Sequence, residues 1–395
     1  MTKTESKRPI LVRGRILGKG KPQDILVKDG RVASIKPAGR TRPDAGSAEA
    51  IIGPTLFDIQ VNGIGGVNLQ GPKVVPEDFA RIGDMLAASG VSHWIPTLIT
   101  GAQADMEHGC RVFAEAQRDP RVARAVPGVH LEGPYISALD GPRGAHAKEH
   151  VRPPDLREFD RFMKAADGRI SYITVAPEVE GAVPFIKAAV KRGVVVSLGH
   201  HHATAEQIAR AVDAGARLCT HLGNGMAAQI QRHLNPIWPQ LADDRLSCSL
   251  IADLAHLPEA VLKTFVRVKG PERTILTSDV VHITGLKPGR YDLGGVSVEL
   301  QPSGRICLLG TELLAGSSLE LLQGVVNAAR HTDLTLEQAF ACASSVPARL
   351  LGLRRRFDAP TAGKKADFVV FDTASAEERH AVRVRCVFID GKRRA

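Results

Sequence analysis

The sequence predicts an α/β chain, with a (β/α)8 TIM barrel through its middle and a small β-rich domain built from both chain ends. Three observations predict it. Eight short apolar segments recur through the central region, separated by stretches of helical spacing, and repetition of β-then-α units closes into a parallel barrel. The two ends instead carry short apolar runs broken by turn signals. Polar residues able to do chemistry gather at the C-terminal ends of the central segments, the face on which barrels build their sites.

The N-terminal part, residues 8–52, reads "ILVRGRI", "DILVKDGRVASIKP" and "AEAIIG". The Asp-Gly pair in "KDGR" is the signal of a tight hairpin. Residues 364–393 have the same character in "KKADFVVFD" and "RVRCVFIDGKRR". Each part is too small to bury a core alone, so the two are expected to pack together. The expected division is 1–53 and 359–395 for this domain and 54–358 for the barrel.

The eight barrel segments are "PTLFDIQV" (54–61), "SHWIPTLI" (92–99), "AVPGVHLE" (125–132), "ISYITVAP" (170–177), "GVVVSLGH" (193–200), "ARLCTHLG" (216–223), "LSCSLIAD" (246–253) and "RTILTSDV" (273–280). Helix-like runs lie between them. One is "AEQIARAVDAG", introduced by Thr204 and Gln207 in capping-box spacing.

Bulk properties narrow the function. The 395 residues suffice for one barrel, which takes roughly 250, plus an appendage. A net charge of +10 and a pI near 9.5 would suit an anionic ligand, but the basic residues are spread out, with short clusters only at 354–356 and the C-terminus. Aromatic residues make up 4% and do not interleave with the basic ones, which argues against nucleic acid. The six cysteines (110, 219, 248, 307, 342, 386) form no CxxC pair, which suits free thiols in a reducing cytoplasm. No apolar run approaches the ~18 residues of a membrane span, and the N-terminus lacks a leader's apolar stretch.

Gln60 and Asn62, Glu132, His200, His221, Asp253 with His256, and Asp279 all fall at or just past a segment's C-terminal end. Glu132, His200 and His221 supply one carboxylate and two imidazoles from three strands, a common catalytic zinc set that leaves a position for water. In "GVVVSLGHHHAT" three adjacent histidines cannot all reach one ion. The apolar run and glycine place His200 at the strand tip, while His201 and His202 are expected to be solvated loop residues. Asp279 in "ILTSDVV" stands where a carboxylate can take a proton from an activated water and pass it to a leaving amine.

These motifs resemble the amidohydrolase superfamily, and within it the N-acetylglucosamine-6-phosphate deacetylases. The likeness runs over almost the whole chain, in "FDIQVNGIGG", "PTLIT", "GVHLEGPYI", "GAH", "TVAPE", "SLGHHHAT", "THLGNGM", "IADLAH", "SDV", "LAGSSL" and "AGKKADFVVFD". It implies an amidohydrolase-type barrel with a β-sandwich made from both chain ends. By resemblance the metal ligands fall on Glu132, His200 and His221 and the catalytic acid/base on Asp279. The substrate side maps onto His146, Asn224, Gly225, Arg232, His256, and Leu314, Ala315 and Gly316. His146 would polarise the amide carbonyl, and Arg232 and His256 would face a phosphate, which a guanidinium fork suits. Because that arginine can come from a neighbouring subunit, the resemblance implies a homodimer.

Many amidohydrolases carry His-x-His where this chain has Gln60-Val61-Asn62, and the fourth segment lacks a lysine that bridges two ions in some relatives. Amides are poor ligands beside imidazole, so one divalent ion is expected per subunit. Zinc suits the set, though iron or another divalent ion would also. Gln60 and Asn62 are then assigned to the substrate side.

Four places depart from the family pattern. Gly223 and Gly225 stand where an aromatic residue and alanine are usual, which suggests a looser pocket wall. "HLNPIWPQ" replaces a short turn after Arg232, and Leu254 replaces a common glycine. "SDVVHITG" brings His282 near the site, to contact ligand or cap the strand end. All four touch the substrate side, so an amidohydrolase acting by the same mechanism on another N-acyl or cyclic amide is the alternative. A non-catalytic scaffold would not need all four of Glu132, His200, His221 and Asp279.

Overall fold

Eight parallel strands run in chain order around the centre of the molecule. The computed structural model describes residues 8–293, 295–354, 357–374 and 382–395. The barrel strands are Leu56–Val61, Val91–Ile99, Val129–Glu132, Ile170–Val175, Val195–Leu198, Leu218–Cys219, Ser247–Ile251 and Thr274–Thr277. Each segment expected from the sequence holds one, the second strand alone starting a residue earlier than its segment, at Val91. The ring closes just past the eighth strand, where Val280 bridges to Val61 and Asn62 N donates to Val280 O at 2.8 Å.

Strand ends were less legible than strands. The third segment begins with helix rather than strand: Pro120–Ala125 is helical, started by Asp119, whose carboxylate accepts from Arg121 N. An N-cap aspartate followed by proline is a strong helix start, so extended backbone resumes only at Val129. The capping box at Thr204 and Gln207 forms as expected, each side chain accepting from the other's backbone N–H.

Phe57, Ile59, Ile95, Tyr172, Leu218 and Ile275 pack together as a core with Val346 and Ala348 of the helix Ser345–Leu350. Phe57 N donates to Ala343 O at the start of the first strand, so this helix closes the N-terminal mouth. The C-terminal mouth is left for chemistry.

Both chain ends contribute to one seven-stranded sheet, in which Ala45–Gly53 joins the N-terminal strands to Phe368–Thr373 and Val382–Ile389. Two Asp-Gly turns pin its register. Asp29 and Gly30, and again Asp390 and Gly391, have positive φ, as a tight primed turn requires. The sheet curls until Gly30 meets Gly391, where an added Cβ would lie 2.5 Å from Gly30 O. Val12, Ile25, Val32, Ile52, Phe368, Val370 and Phe388 fill the fold so formed.

One element has no counterpart in the sequence reading. After the eighth strand, Gly289–Leu293, Val296–Leu300 and Ile306–Leu308 form a three-stranded antiparallel sheet. Two of its strands, GRYDL and VSVEL, alternate polar with apolar residues and the third, ICL, is only three residues long, so no apolar run marks them. Its apolar side packs on Val281, Ile283 and Ala315 beside the barrel mouth. All six cysteines are free and buried. Among the described residues no helix is long and apolar enough to cross a membrane. Of the basic cluster at 354–356, the last two residues lie outside the described residues, as do 375–381 within the C-terminal β segment.

Candidate active site

Glu132 is the last residue of the third barrel strand, and His200, His221, Asp253 and Asp279 each lie two residues beyond a strand. His200, His221 and Asp279 occupy left-handed backbone, with φ of 51°, 28° and 53°. Such conformations in non-glycine residues persist where surroundings over-determine them. Here Ser137 N donates to His200 O (2.9 Å), Ser249 Oγ accepts from His221 N (2.8 Å), and Asp279 N donates to Gln60 O (3.1 Å).

His200 Nε2 lies 3.3 Å from Glu132 Oε1 and 3.2 Å from His221 Nε2, which is 2.9 Å from the same carboxylate oxygen. His200 Nδ1 is 2.9 Å from Pro142 O. A carbonyl only accepts, so the ring hydrogen sits on Nδ1 and Nε2 presents a lone pair. Lone-pair atoms thus face one another with too few hydrogens between them, and a cation completes such a set. The three residues fit a divalent metal ion, and they are the one such group of metal-ligating side chains among the described residues.

Two amides lie under this cluster. Gln60 Nε2 donates to Glu132 Oε1 and to Asp279 Oδ1, both at 3.0 Å, and Asn62 Nδ2 donates to Asp279 Oδ1 at 2.7 Å. Burial pushes the Asp279 carboxyl up to about 7, helped by the charge of Glu132. Burial alone would also raise Glu132, but the two imidazoles set against its carboxylate hold it well below the usual range. Two adjacent carboxylates are therefore driven apart, one ionised and one poised to exchange a proton near neutrality.

A cavity of about 290 Å³ opens above the cluster. Asn62, Glu132, His146, His200, His221, Asn224, Gly225, His256, Asp279, Leu314, Ala315 and Gly316 all line it. Gln60 lies behind the wall, 1% exposed, and acts on the carboxylates rather than on the cavity. Arg232 is exposed on the loop after His221 and does not line the cavity of its own chain. His282 is half-buried behind the cavity, with its Cβ against Gly63. His201 is not the solvated residue expected: it is 4% exposed, held against Gln240, and its Nδ1 accepts from Ala203 N. His202 is exposed, as read.

Nor is the glycine-bearing wall loose. A Cβ at Gly223 would stand 2.9 Å from Leu257 Cδ2 and 3.1 Å from Phe265 Cε2. The room an aromatic residue would take is already filled. A Cβ at Gly225 would stand 2.8 Å from His200 Nδ1, so the backbone lies directly on the ligand ring. Leu254, in place of glycine, has φ 62°.

Several supporting groups carry no sequence signal. Thr100 Oγ1 donates to Glu132 O (3.2 Å) and pairs with His146 Nδ1 (2.8 Å), tying a cavity histidine to the ligand strand. Gln70 clamps the end of the second strand, donating to Thr97 O and accepting from Ile99 N. Both depend on contacts between distant loops.

Residues 51–394 match the amidohydrolase family. The chain is 32% identical to the N-acetylglucosamine-6-phosphate deacetylase of Bos taurus, over 96% of its own length and 89% of that protein's. It is 30% identical to the N-acetylgalactosamine-6-phosphate deacetylase of Escherichia coli O157:H7, over 88% of this chain and 90% of that one. Its fold is similar to the N-acetyl-D-glucosamine-6-phosphate deacetylase of Mycobacterium smegmatis, solved in complex with N-acetyl-D-glucosamine-6-phosphate. The TM-score is 0.84 and the identity 30%, over 98% of this chain and 99% of that one.

Proposed function

The chain belongs to the amidohydrolase family, among its N-acetylglucosamine-6-phosphate deacetylases, and from that membership we propose that it hydrolyses the acetamide of an N-acetylated amino sugar 6-phosphate to acetate and the free amine. The observation that carries this reading is the convergence of Glu132, His200 and His221 beside a raised, amide-held Asp279.

Glu132, His200 and His221 would hold one divalent ion, with zinc best suited to two imidazoles and a carboxylate and iron(II) a second candidate. Once bound, such an ion supplies a Lewis acid for the amide carbonyl and makes a water more acidic. Asp279 takes the proton of the attacking water and delivers it to the amide nitrogen as the C–N bond breaks. Gln60 and Asn62 fix its carboxylate for both transfers. Gln60 and Asn62 offer only neutral amide oxygens where a second ion would need imidazoles, so one ion per subunit follows. His146, held by Thr100, faces the acetyl end.

The exposed Arg232 reaches the phosphate of a neighbouring subunit's substrate in a homodimer. Ile230 and Leu234 on the same loop and Trp238 at the start of the helix that follows are exposed, Leu234 at 82%, and burying them would favour that assembly. Buried free thiols suit a reducing cytoplasm.

The test compares N-acetylglucosamine and N-acetylgalactosamine, each with and without 6-phosphate, together with metal content. The expected result is phosphate-dependent turnover with one equivalent of metal, and turnover at least about 10²-fold lower in Asp279→Asn, the lower bound for losing a positioned acid/base. Two equivalents, phosphate-blind turnover, or a fully active Asp279→Asn variant would each refute part of it. The galactosamine isomer is included because one relative acts on it.

A further inference from the structure

We infer that Asp253 is a specificity-determining positioning residue, which turns His256 so that Nε2 is the ring atom offered to the phosphate end of the substrate. The inference rests on the phosphorylated-sugar reading above.

Residues 253–256 follow the seventh barrel strand and form a closed turn. Asp253 Oδ1 accepts from the backbone N–H of Ala255 (2.9 Å) and of His256 (2.8 Å). These two bonds wind the chain through Leu254, whose backbone is left-handed without being glycine. An asparagine would wind the turn equally well, since it needs only one oxygen. The second oxygen is what sets this residue apart. Asp253 Oδ2 lies 2.7 Å from His256 Nδ1, with the two side chains 11% and 5% exposed.

Burial would raise the Asp253 carboxyl, yet its bonds to His256 hold it below the ordinary range. It is therefore an acceptor at both oxygens, and Nδ1 must carry the hydrogen. Nε2 is then the ring nitrogen left to meet a ligand, and His256 lines the cavity. With a carboxylate at Nδ1 and a phosphate at Nε2 the ring has an anion on each side and donates to both as imidazolium, a charge-assisted pair of hydrogen bonds stronger than neutral ones. The strained turn keeps the imidazole from rotating away.

Wild type and Asp253→Asn are compared on the N-acetylated sugar with and without 6-phosphate. Asparagine keeps the backbone bonds but offers Nδ1 an N–H, so the ring must accept there and the charge-assisted bond is lost. The expected result is a rise of about tenfold in KM for the phosphorylated sugar, of the size that separates charged from neutral hydrogen bonds. We expect kcat within about twofold, no change for the unphosphorylated sugar, and no further loss when Asp253→Asn is added to His256→Ala. Equal losses on both sugars, additive losses in the double variant, or an unchanged KM would overturn the inference. A wild type indifferent to phosphate would instead refute the substrate reading and this inference with it. If Asp253→Asn does not fold, nitrogen-15 shifts of His256 in the wild type decide. Hydrogen on Nδ1 supports the assignment, and hydrogen confined to Nε2 overturns it.

Discussion

Replacing Gln60 by leucine tests how the two carboxylates are held. Leucine keeps most of the volume at a position 1% exposed, so packing is nearly conserved and the change is electrostatic. It removes the hydrogen bonds to Glu132 Oε1 and Asp279 Oδ1. Bonds to charged groups contribute about 1.5–3 kcal/mol each. Glu132 keeps its place beside both histidines and Asp279 keeps Asn62, so roughly half of the two-bond total is expected to be lost, on the order of 2 kcal/mol. Asp279 would retain a single tether and swing out of line for proton transfer. The assay is steady-state kinetics with metal content and thermal melting on the same preparation. We expect kcat to fall about 10–100-fold while KM moves less than about threefold, as for an interaction made mainly in the transition state. A Gln60→Leu enzyme with wild-type kcat and a full metal complement would refute the view that this amide positions the acid/base.

Gly223→Phe would force an aromatic ring into space held by Leu257 and Phe265, at positive φ; a loss of at least about 1–3 kcal/mol is expected in denaturant titration. Thr100→Val would leave buried His146 Nδ1 without its partner, costing about 1–3 kcal/mol and lowering kcat; unchanged melting and turnover would contradict the link. In chelated protein the folded value of Asp279 lies above its unfolded one, so its contribution to stability is complete below about pH 4 and is lost as pH rises through about 7. That amounts to as much as about 4 kcal/mol, at ~1.4 kcal/mol per unit. The melting advantage of chelated Asp279→Asn over chelated wild type should therefore widen from pH 5 to pH 8, and a constant gap would disprove the assignment.

The barrel and the cluster that converges at its mouth were legible because burial writes itself into local pattern. A strand enclosed on both faces reads as an apolar run, and the first polar residue past it marks the barrel mouth; Glu132, His200, His221 and Asp279 were found that way. What the sequence did not disclose depends on partners far along the chain. His201 looked like its exposed neighbour His202, but it is buried, with Gln240, some forty residues on, against it. The role of Gln60 beneath the site, rather than on the cavity wall, comes from barrel closure setting the first and eighth strands side by side. The sheet at 289–308 alternates apolar Tyr291, Leu293, Val296, Val298 and Leu300 with polar neighbours, because only one of its faces is covered, and a search for continuous apolar runs passes over such half-covered strands.

The left-handed backbone shared by His200, His221 and Asp279 has an evolutionary consequence. At each of these positions glycine would relax the main chain, so a drift toward inactivity is eased energetically at the very places where activity resides. Selection on folding alone would erode this enzyme from its centre outward. A descendant freed from its metabolic duty should therefore lose these side chains early while the surrounding barrel persists.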